Sequence, residues 1–190
     1  MNKAVFFDRD GTINEEAGYI RDLSNLKLIE GASVAIEKLR QNGYLAILIT
    51  NQSGPARGYY NEKWVQTLNS TVQDLLVAEG TELDAMYYCP HLPDGIVKEY
   101  TKDCDCRKPG KALFMQAKEK FDIDLEKSFM IGDKATDVEA GHNAGCKGIL
   151  LKTGYGEQVL KGEYQSIPNA DYIAKDILDA ANWILAQKNN

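Results

Sequence analysis

The chain has 190 residues, 44% of them apolar and 26% charged, enough for one sizeable core and ordinary for a globular protein rather than a disordered or fibrous one. A net charge of -6 speaks against a general nucleic-acid binder, which carries a basic face that releases phosphate counterions. The first apolar run, residues 4–7, is too short for a signal peptide or a membrane span, so a cytoplasmic protein without membrane contact is expected.

Residues 4–7 read as a buried strand that ends at Asp8. Within 31–42, Val34, Ala35, Ile36 and Leu39 fall at helical spacing, and Gly43 stops the pattern. A strand at 44–49 leads to Thr50 and Asn51, and a helix over 61–79 follows from Asn61 as its N-cap to Gly80 as its stop. A third strand at 83–88 precedes a long irregular stretch, 89–110, which a compact domain keeps only when something holds it or it serves a function. A helix over 111–121, a strand at 129–131, a helix starting near Ala135 and a strand at 148–151 come next. The segment AKDILDAANWILAQK, 174–188, predicts a final helix with Ile177, Leu178, Ala181 and Ile184 facing inward. This alternation predicts one α/β domain over 1–190, a Rossmann-like parallel sheet with helices on both faces.

In open α/β sheets ligands gather outside the carboxyl ends of the strands. The polar residues placed there are Asp8 and Asp10, Thr50 and Asn51, Arg107 and Lys108 behind the Cys89 loop, and Asp133. Asp8 and Asp10 alternate around Arg9, so both can project toward one site while Gly11 lets the chain turn; alone, the pair reads equally as an acidic turn that stops the strand.

With Thr50-Asn51, Lys108-Pro109 and Gly132-Asp133 following in that order, the chain resembles the haloacid dehalogenase superfamily, specifically its aspartate-nucleophile phosphatases, over about residues 3 to 156. The resemblance implies a capless fold of that superfamily, because the intervals between motifs leave no room for a separate cap domain. It implies Asp8 as nucleophile, Asp10 as acid and base, and Thr50 and Lys108 as stabilisers of the transferring phosphoryl group. It also implies Mg²⁺ held by Asp8, Asp133 and the Asp10 carbonyl. Asp137, one helical turn past Asp133, either orients the metal site or simply meets the helix dipole.

Cys89-x-His91, twelve residues, then Cys104-x-Cys106 supplies three sulfurs and one imidazole, the set for a closed, structural Zn²⁺ site over 89–106. Surface thiols on a loop are the plainer alternative, and a Cys104–Cys106 disulfide would close a small, strained ring. Arg107 and Lys108 follow the last ligand directly, so zinc is expected to fix these cations without touching substrate. Cys146 reads as a small buried apolar residue and His142 as a surface or capping residue.

The segments FFDRDGTINEEAGYI, ITNQSGPARGYY, CPHLPDG, CDCRKPG and MIGDKATDVEAG resemble the zinc-loop phosphatases of heptose bisphosphate and, less closely, of histidinol phosphate. This resemblance implies removal of the C7 phosphate of a heptose 1,7-bisphosphate on the way to ADP- or GDP-activated heptose. The substrate-facing candidates are Glu16, Gly18, Tyr19, Asn51, Ser53, Arg57, Arg107 and Lys134. The expected partner is a small phosphorylated sugar, with no nucleic acid, and the expected state is a monomer.

Overall fold

The computed structural model describes residues 1–187, so Lys188, the last residue of the expected final helix, lies outside the described residues. Six strands form one parallel sheet: β1 (Lys3–Phe7), β2 (Tyr44–Asn51), β3 (Ala85–Cys89), β4 (Phe129–Gly132), β5 (Lys147–Leu151) and β6 (Tyr172–Ala174). Their order is β3-β2-β1-β4-β5-β6. The helices are α1 (Ala32–Gln41), α2 (Glu62–Ala78), α3 (Ala112–Phe121), α4 (Ala135–Ala144), the short α5 (Gly156–Leu160) and α6 (Ile177–Ala186).

Strand β1 is central and reads as a continuous apolar run because both of its faces are covered. Alternation divides its side chains between two cores. Val5 and Phe7 join residues of α1, α2 and α6 on one face, while Ala4 and Phe6 join Leu113, Phe114 and Ala117 of α3 on the other. The chain leaves β1 for β2 on one side and later returns to β4 on the other, so the strand order reverses between β1 and β4. Phe7 pairs with Ile131 in register, and Asp8 donates its amide to the Ile131 carbonyl at 2.9 Å, which brings the ends of these two strands together at the crevice.

Helix boundaries follow local chemistry. The Asn61 side chain accepts from the Trp64 amide at 3.0 Å and starts α2, while Gly80 past its end takes φ +88°. Helix α1 turns Ala32, Ser33, Ala35, Ile36 and Leu39 inward and leaves Val34 58% exposed. One expectation needs correction. The final helix begins at Ile177 rather than 174: Tyr172–Ala174 pair in parallel with Ile149–Leu151 as an edge strand, and the Asp176 carboxylate caps α6 through the Asp179 amide at 2.8 Å. Ile177, Ala180, Ala181 and Ile184 are buried on α6, with Leu178 packed against them. Among the described residues no helix is long and apolar enough to cross a membrane.

Candidate active site

A cavity of about 430 Å³ opens at the carboxyl ends of β1, β2 and β4. Its lining includes Asp8, Asp10, Glu16, Gly18, Tyr19, Asn51, Ser53, Arg107, Lys108 and Lys134. Thr50, Arg57 and Asp133, also expected at the site, are outside that lining. Thr50 and Asp133 are almost wholly buried just behind it, and the Arg57 guanidinium stands 6.0 Å from the Tyr19 ring.

Lys108 is the hub. Its Nζ lies 2.9 Å from Asp8 Oδ1, 2.7 Å from Asp137 Oδ1 and 2.8 Å from the Ile49 carbonyl, with the side chain 2% exposed. Burial pulls its pKa down, but the Asp137 and Asp8 charges outweigh it and the ammonium is held above its usual range. Burial likewise pushes the Asp8 carboxyl up, yet Lys108 and Lys134 overcome it and hold the group at about 2. Asp8 is therefore an anion next to a cation, as a nucleophile requires. Asn51 spends both ends of its amide on the Lys108 backbone, donating to the carbonyl at 3.0 Å and accepting from the amide at 2.9 Å. The Lys108-Pro109 bond is cis.

Asp10 is held by four donor groups. Arg9 reaches both its oxygens, Nη2 meeting Oδ2 at 2.9 Å; Gln52 Nε2 donates to Oδ2 at 2.8 Å and Asn14 Nδ2 to Oδ1 at 3.0 Å. Gln52 also donates to Thr50 Oγ1 at 2.9 Å. Arg9, Asn14 and Gln52 were not legible as site residues. Arg9 reads in sequence as a spacer between two aspartates, and its long-range contacts to Asn69, 3.1 Å from Nη1, and to Gln52, 3.0 Å from Nη2, show that its side chain turns inward.

Asp8, Asp133 and Asp137 bring carboxylate oxygens within 4.8 Å of one another. Asp133 Oδ2 accepts from the Tyr155 amide at 2.9 Å, whereas its buried Oδ1 makes no hydrogen bond and stands 3.3 Å from Lys134 Nζ. Burial, opposed by Lys134 and reinforced by Asp137 and Asp8, pushes the Asp133 carboxyl up to about 7. With all three acids ionised, the ammonium groups of Lys108 and Lys134 leave one negative charge over, and the hard oxygen donors suit a divalent cation such as Mg²⁺. Gly11, at φ +79°, and Gly154, at φ +53°, both abut Asp133, and a Cβ at either would collide with its carboxylate. Asp137 resolves differently from a simple metal ligand. Its Oδ2 accepts the Lys134 amide at 3.0 Å at the start of α4, and its Oδ1 faces Lys108, so it positions the lysine and the helix.

Elsewhere in the lining, Glu16 Oε1 accepts from the Gly18 amide at 2.7 Å and Oε2 stands 3.4 Å from Lys134 Nζ. The Tyr19 hydroxyl and Ser53 Oγ are 3.2 Å apart. Lys134 also approaches Asp8 Oδ2 at 3.8 Å, so its charge is shared between Asp8 and Glu16.

The irregular stretch closes on itself through its ligand atoms. Cys89 Sγ is 3.5 Å from Cys104 Sγ, 2.8 Å from Cys106 Sγ and 3.6 Å from His91 Nδ1, and all four donors lie within 4.8 Å of one another with no disulfide formed. Three sulfurs and an imidazole around one point fit a tetrahedral zinc ion with no open position. Burial pushes the Cys89 thiol up, so a thiolate there calls for such a cation. The His91 carbonyl accepts from Arg107 Nη1 at 3.2 Å, which joins the cluster to the cavity. Cys146 is buried outside this cluster, and His142 Nε2 meets Asp171 Oδ2 at 2.8 Å on the surface.

A family model described as HAD-hydrolase-like matches residues 105–180. The D-glycero-D-manno-heptose-1,7-bisphosphate 7-phosphatase of Thermosynechococcus vestitus is 46% identical over 95% of this chain and 94% of its own. The D-glycero-beta-D-manno-heptose-1,7-bisphosphate 7-phosphatase of Haemophilus influenzae is 42% identical over 94% and 95%. Among solved structures, D,D-heptose 1,7-bisphosphate phosphatase from B. bronchiseptica, complexed with magnesium and phosphate, superposes with a TM-score of 0.85 at 28% identity, covering 97% of this chain and 99% of that one.

Proposed function

The chain belongs to the D-glycero-D-manno-heptose-1,7-bisphosphate 7-phosphatase family of haloacid dehalogenase-like hydrolases, and on that premise we propose that it removes the C7 phosphate of a heptose 1,7-bisphosphate through an aspartyl phosphate on Asp8. It is a phosphoric monoester hydrolase. The observation that carries the reading is the buried Asp8 carboxylate, kept charged by Lys108 at 2.9 Å and lining one cavity with Asp10.

Asp8 attacks phosphorus, the bond from phosphorus to the C7 oxygen breaks, and Asp10 gives the departing alkoxide its proton. Water then attacks phosphorus of the acyl phosphate, Asp10 takes the water proton, and the bond to Asp8 breaks to release inorganic phosphate. Mg²⁺ held by Asp8, Asp133 and the Asp10 carbonyl would offset the repulsion between a carboxylate and a phosphate dianion. Lys108 and the Thr50 hydroxyl face charge that develops on the transferring oxygens, and Asn51 keeps Lys108 in place. Arg107 and Lys134 meet the sugar or its distal phosphate through charge-assisted hydrogen bonds, with Glu16, Gly18, Tyr19, Ser53 and Arg57 shaping the mouth. Zn²⁺ at Cys89, His91, Cys104 and Cys106 is structural in this reading and steadies Arg107 through the His91 carbonyl.

Histidinol phosphate, the other substrate the sequence suggested, is not favoured, since the relatives aligned over nearly the whole chain are named for the heptose substrate. Phosphorus NMR of the products tests the reading. The anomeric phosphate signal should persist while the C7 signal is replaced by inorganic phosphate; the reverse pattern, or a higher kcat/KM for histidinol phosphate than for the bisphosphate, would overturn it.

A further inference from the structure

The loop between α5 and β6 delivers two residues to the cavity that the chemistry above does not use. Tyr164 stacks on Tyr155 with ring centroids 4.3 Å apart and planes only 14° from parallel. Gln165 Oε1 accepts the Ala135 amide at 2.9 Å, which fastens the loop to the first turn of α4. Tyr155, Tyr164 and Gln165 line the same cavity as Asp8 and Lys134. Tyr155 is also tied to the reacting groups, because its amide donates to Asp133 Oδ2 and Lys134 Nζ lies 5.1 Å from its ring centroid.

Chemistry distinguishes this part of the lining from its cationic part. Arg107, Lys108 and Lys134 supply the cavity's positive charge and suit phosphate, whereas the two tyrosines and the glutamine bring none. Among the described residues, neither tyrosine hydroxyl nor Gln165 Nε2 has a hydrogen-bond partner, and Tyr164 remains 45% exposed. Aromatic faces beside unpaired neutral hydrogen-bonding groups match a hydroxylated carbon chain, which offers C–H faces to the rings and hydroxyls to the polar ends.

We propose that Tyr155, Tyr164 and Gln165 form a wall that holds the uncharged polyol part of the substrate and so selects a sugar phosphate over a small phosphate ester. This rests on the sugar-phosphatase reading and adds the group that recognises the chain between the two phosphates. Binding energy from that remote part orients the reacting ester over Asp8, so its loss falls on the sugar substrate alone.

Kinetics of Tyr164→Ala and Tyr164→Leu on heptose 1,7-bisphosphate and on methyl phosphate test the wall, with Tm and metal content of each variant measured alongside. Both variants should lose roughly tenfold in kcat/KM for the bisphosphate and stay within about twofold of wild type on methyl phosphate. Tyr164→Leu retaining the wild-type value would show that bulk suffices and overturn the stacking role. Equal losses on both substrates would reduce Tyr164 to a structural residue and overturn the wall. A wild-type enzyme that does not prefer the bisphosphate to methyl phosphate would instead overturn the substrate reading itself, and the wall with it.

Discussion

Arg9 and Asp10 are adjacent in sequence and paired in space: the guanidinium, 1% exposed, meets both carboxylate oxygens of its neighbour and stands 2.9 Å from Oδ2. The fork also reaches Gln52 and Asn69, so one buried cation fixes the proposed proton-shuttling residue against the segment that follows β2 and against α2. Removing one partner of such a pair leaves the other charge buried without compensation. Arg9→Met should therefore cost about 3 kcal/mol in urea unfolding and lower kcat. Arg9→Lys, which keeps the charge but not the planar fork, should lie between it and wild type. A Met variant with wild-type stability and kcat would show that the clamp is idle.

Asp8→Asn and Asp10→Asn should each nearly abolish turnover, for different reasons. The first removes the nucleophile and the anion that Lys108 and Lys134 hold at about 2. The second keeps an amide of the same shape but cannot give or take the proton, a loss of roughly 10²- to 10⁴-fold. Rapid acid quench with radiolabelled substrate should trap phosphate on wild-type protein and none on the Asp8 variant. Wild-type-like turnover by Asp8→Asn would end the covalent mechanism.

The central strands were readable because they are buried on both faces: Ala4 to Phe7 and the apolar run through Ile49 carry unbroken hydrophobicity that few other environments tolerate. The convergence of Cys89, His91, Cys104 and Cys106 was readable because their residue types and spacing are rarely combined by accident. Edge strand β6 was not, since three residues followed at once by a capped helix produce no period of their own. The inward turn of Arg9 and the arrival of Tyr164 at the cavity were equally hidden. Each depends on a partner distant in sequence or on a loop path, Asn69 in one case and the α4 N-terminus through Gln165 in the other, and no local pattern encodes it.

Asp171 gives a pH prediction outside the proposed metal sites. Its Oδ2 accepts from the Gly148 amide and from His142 Nε2, both at 2.8 Å, tying the start of β6 to β5 and α4. Burial raises its pKa, but these hydrogen bonds outweigh it and hold the carboxyl below its ordinary 3.8. A depressed folded-state pKa contributes stability above the unfolded value and loses it as pH falls through the folded one. Asp171→Asn should thus lower Tm at neutral pH by an amount worth under about 1 kcal/mol, given the exposure of the pair. The difference from wild type should shrink once the pH is below the ordinary carboxylate range. A difference that stays constant down to the lowest pH reached would contradict the assignment.

The zinc cluster and Arg107 should act as one unit on substrate binding. About one Zn²⁺ per chain is expected by elemental analysis, retained when Mg²⁺ is removed and lost in Cys104→Ser, because a closed four-ligand site does not hold its ion well with a ligand gone. Loss of the ion frees the loop that carries the His91 carbonyl, and with it the hold on Arg107 Nη1. Lys108 is anchored separately, by Asn51 on its backbone and by Asp8, Asp137 and the Ile49 carbonyl on its Nζ, so the reacting centre should be less affected. Cys104→Ser should raise KM for the bisphosphate more than it lowers kcat on methyl phosphate. Arg107→Ala should reproduce the rise in KM with zinc retained, and the double variant should be little worse than either alone, since both remove the same contact. Strictly additive losses would show that zinc and Arg107 act independently.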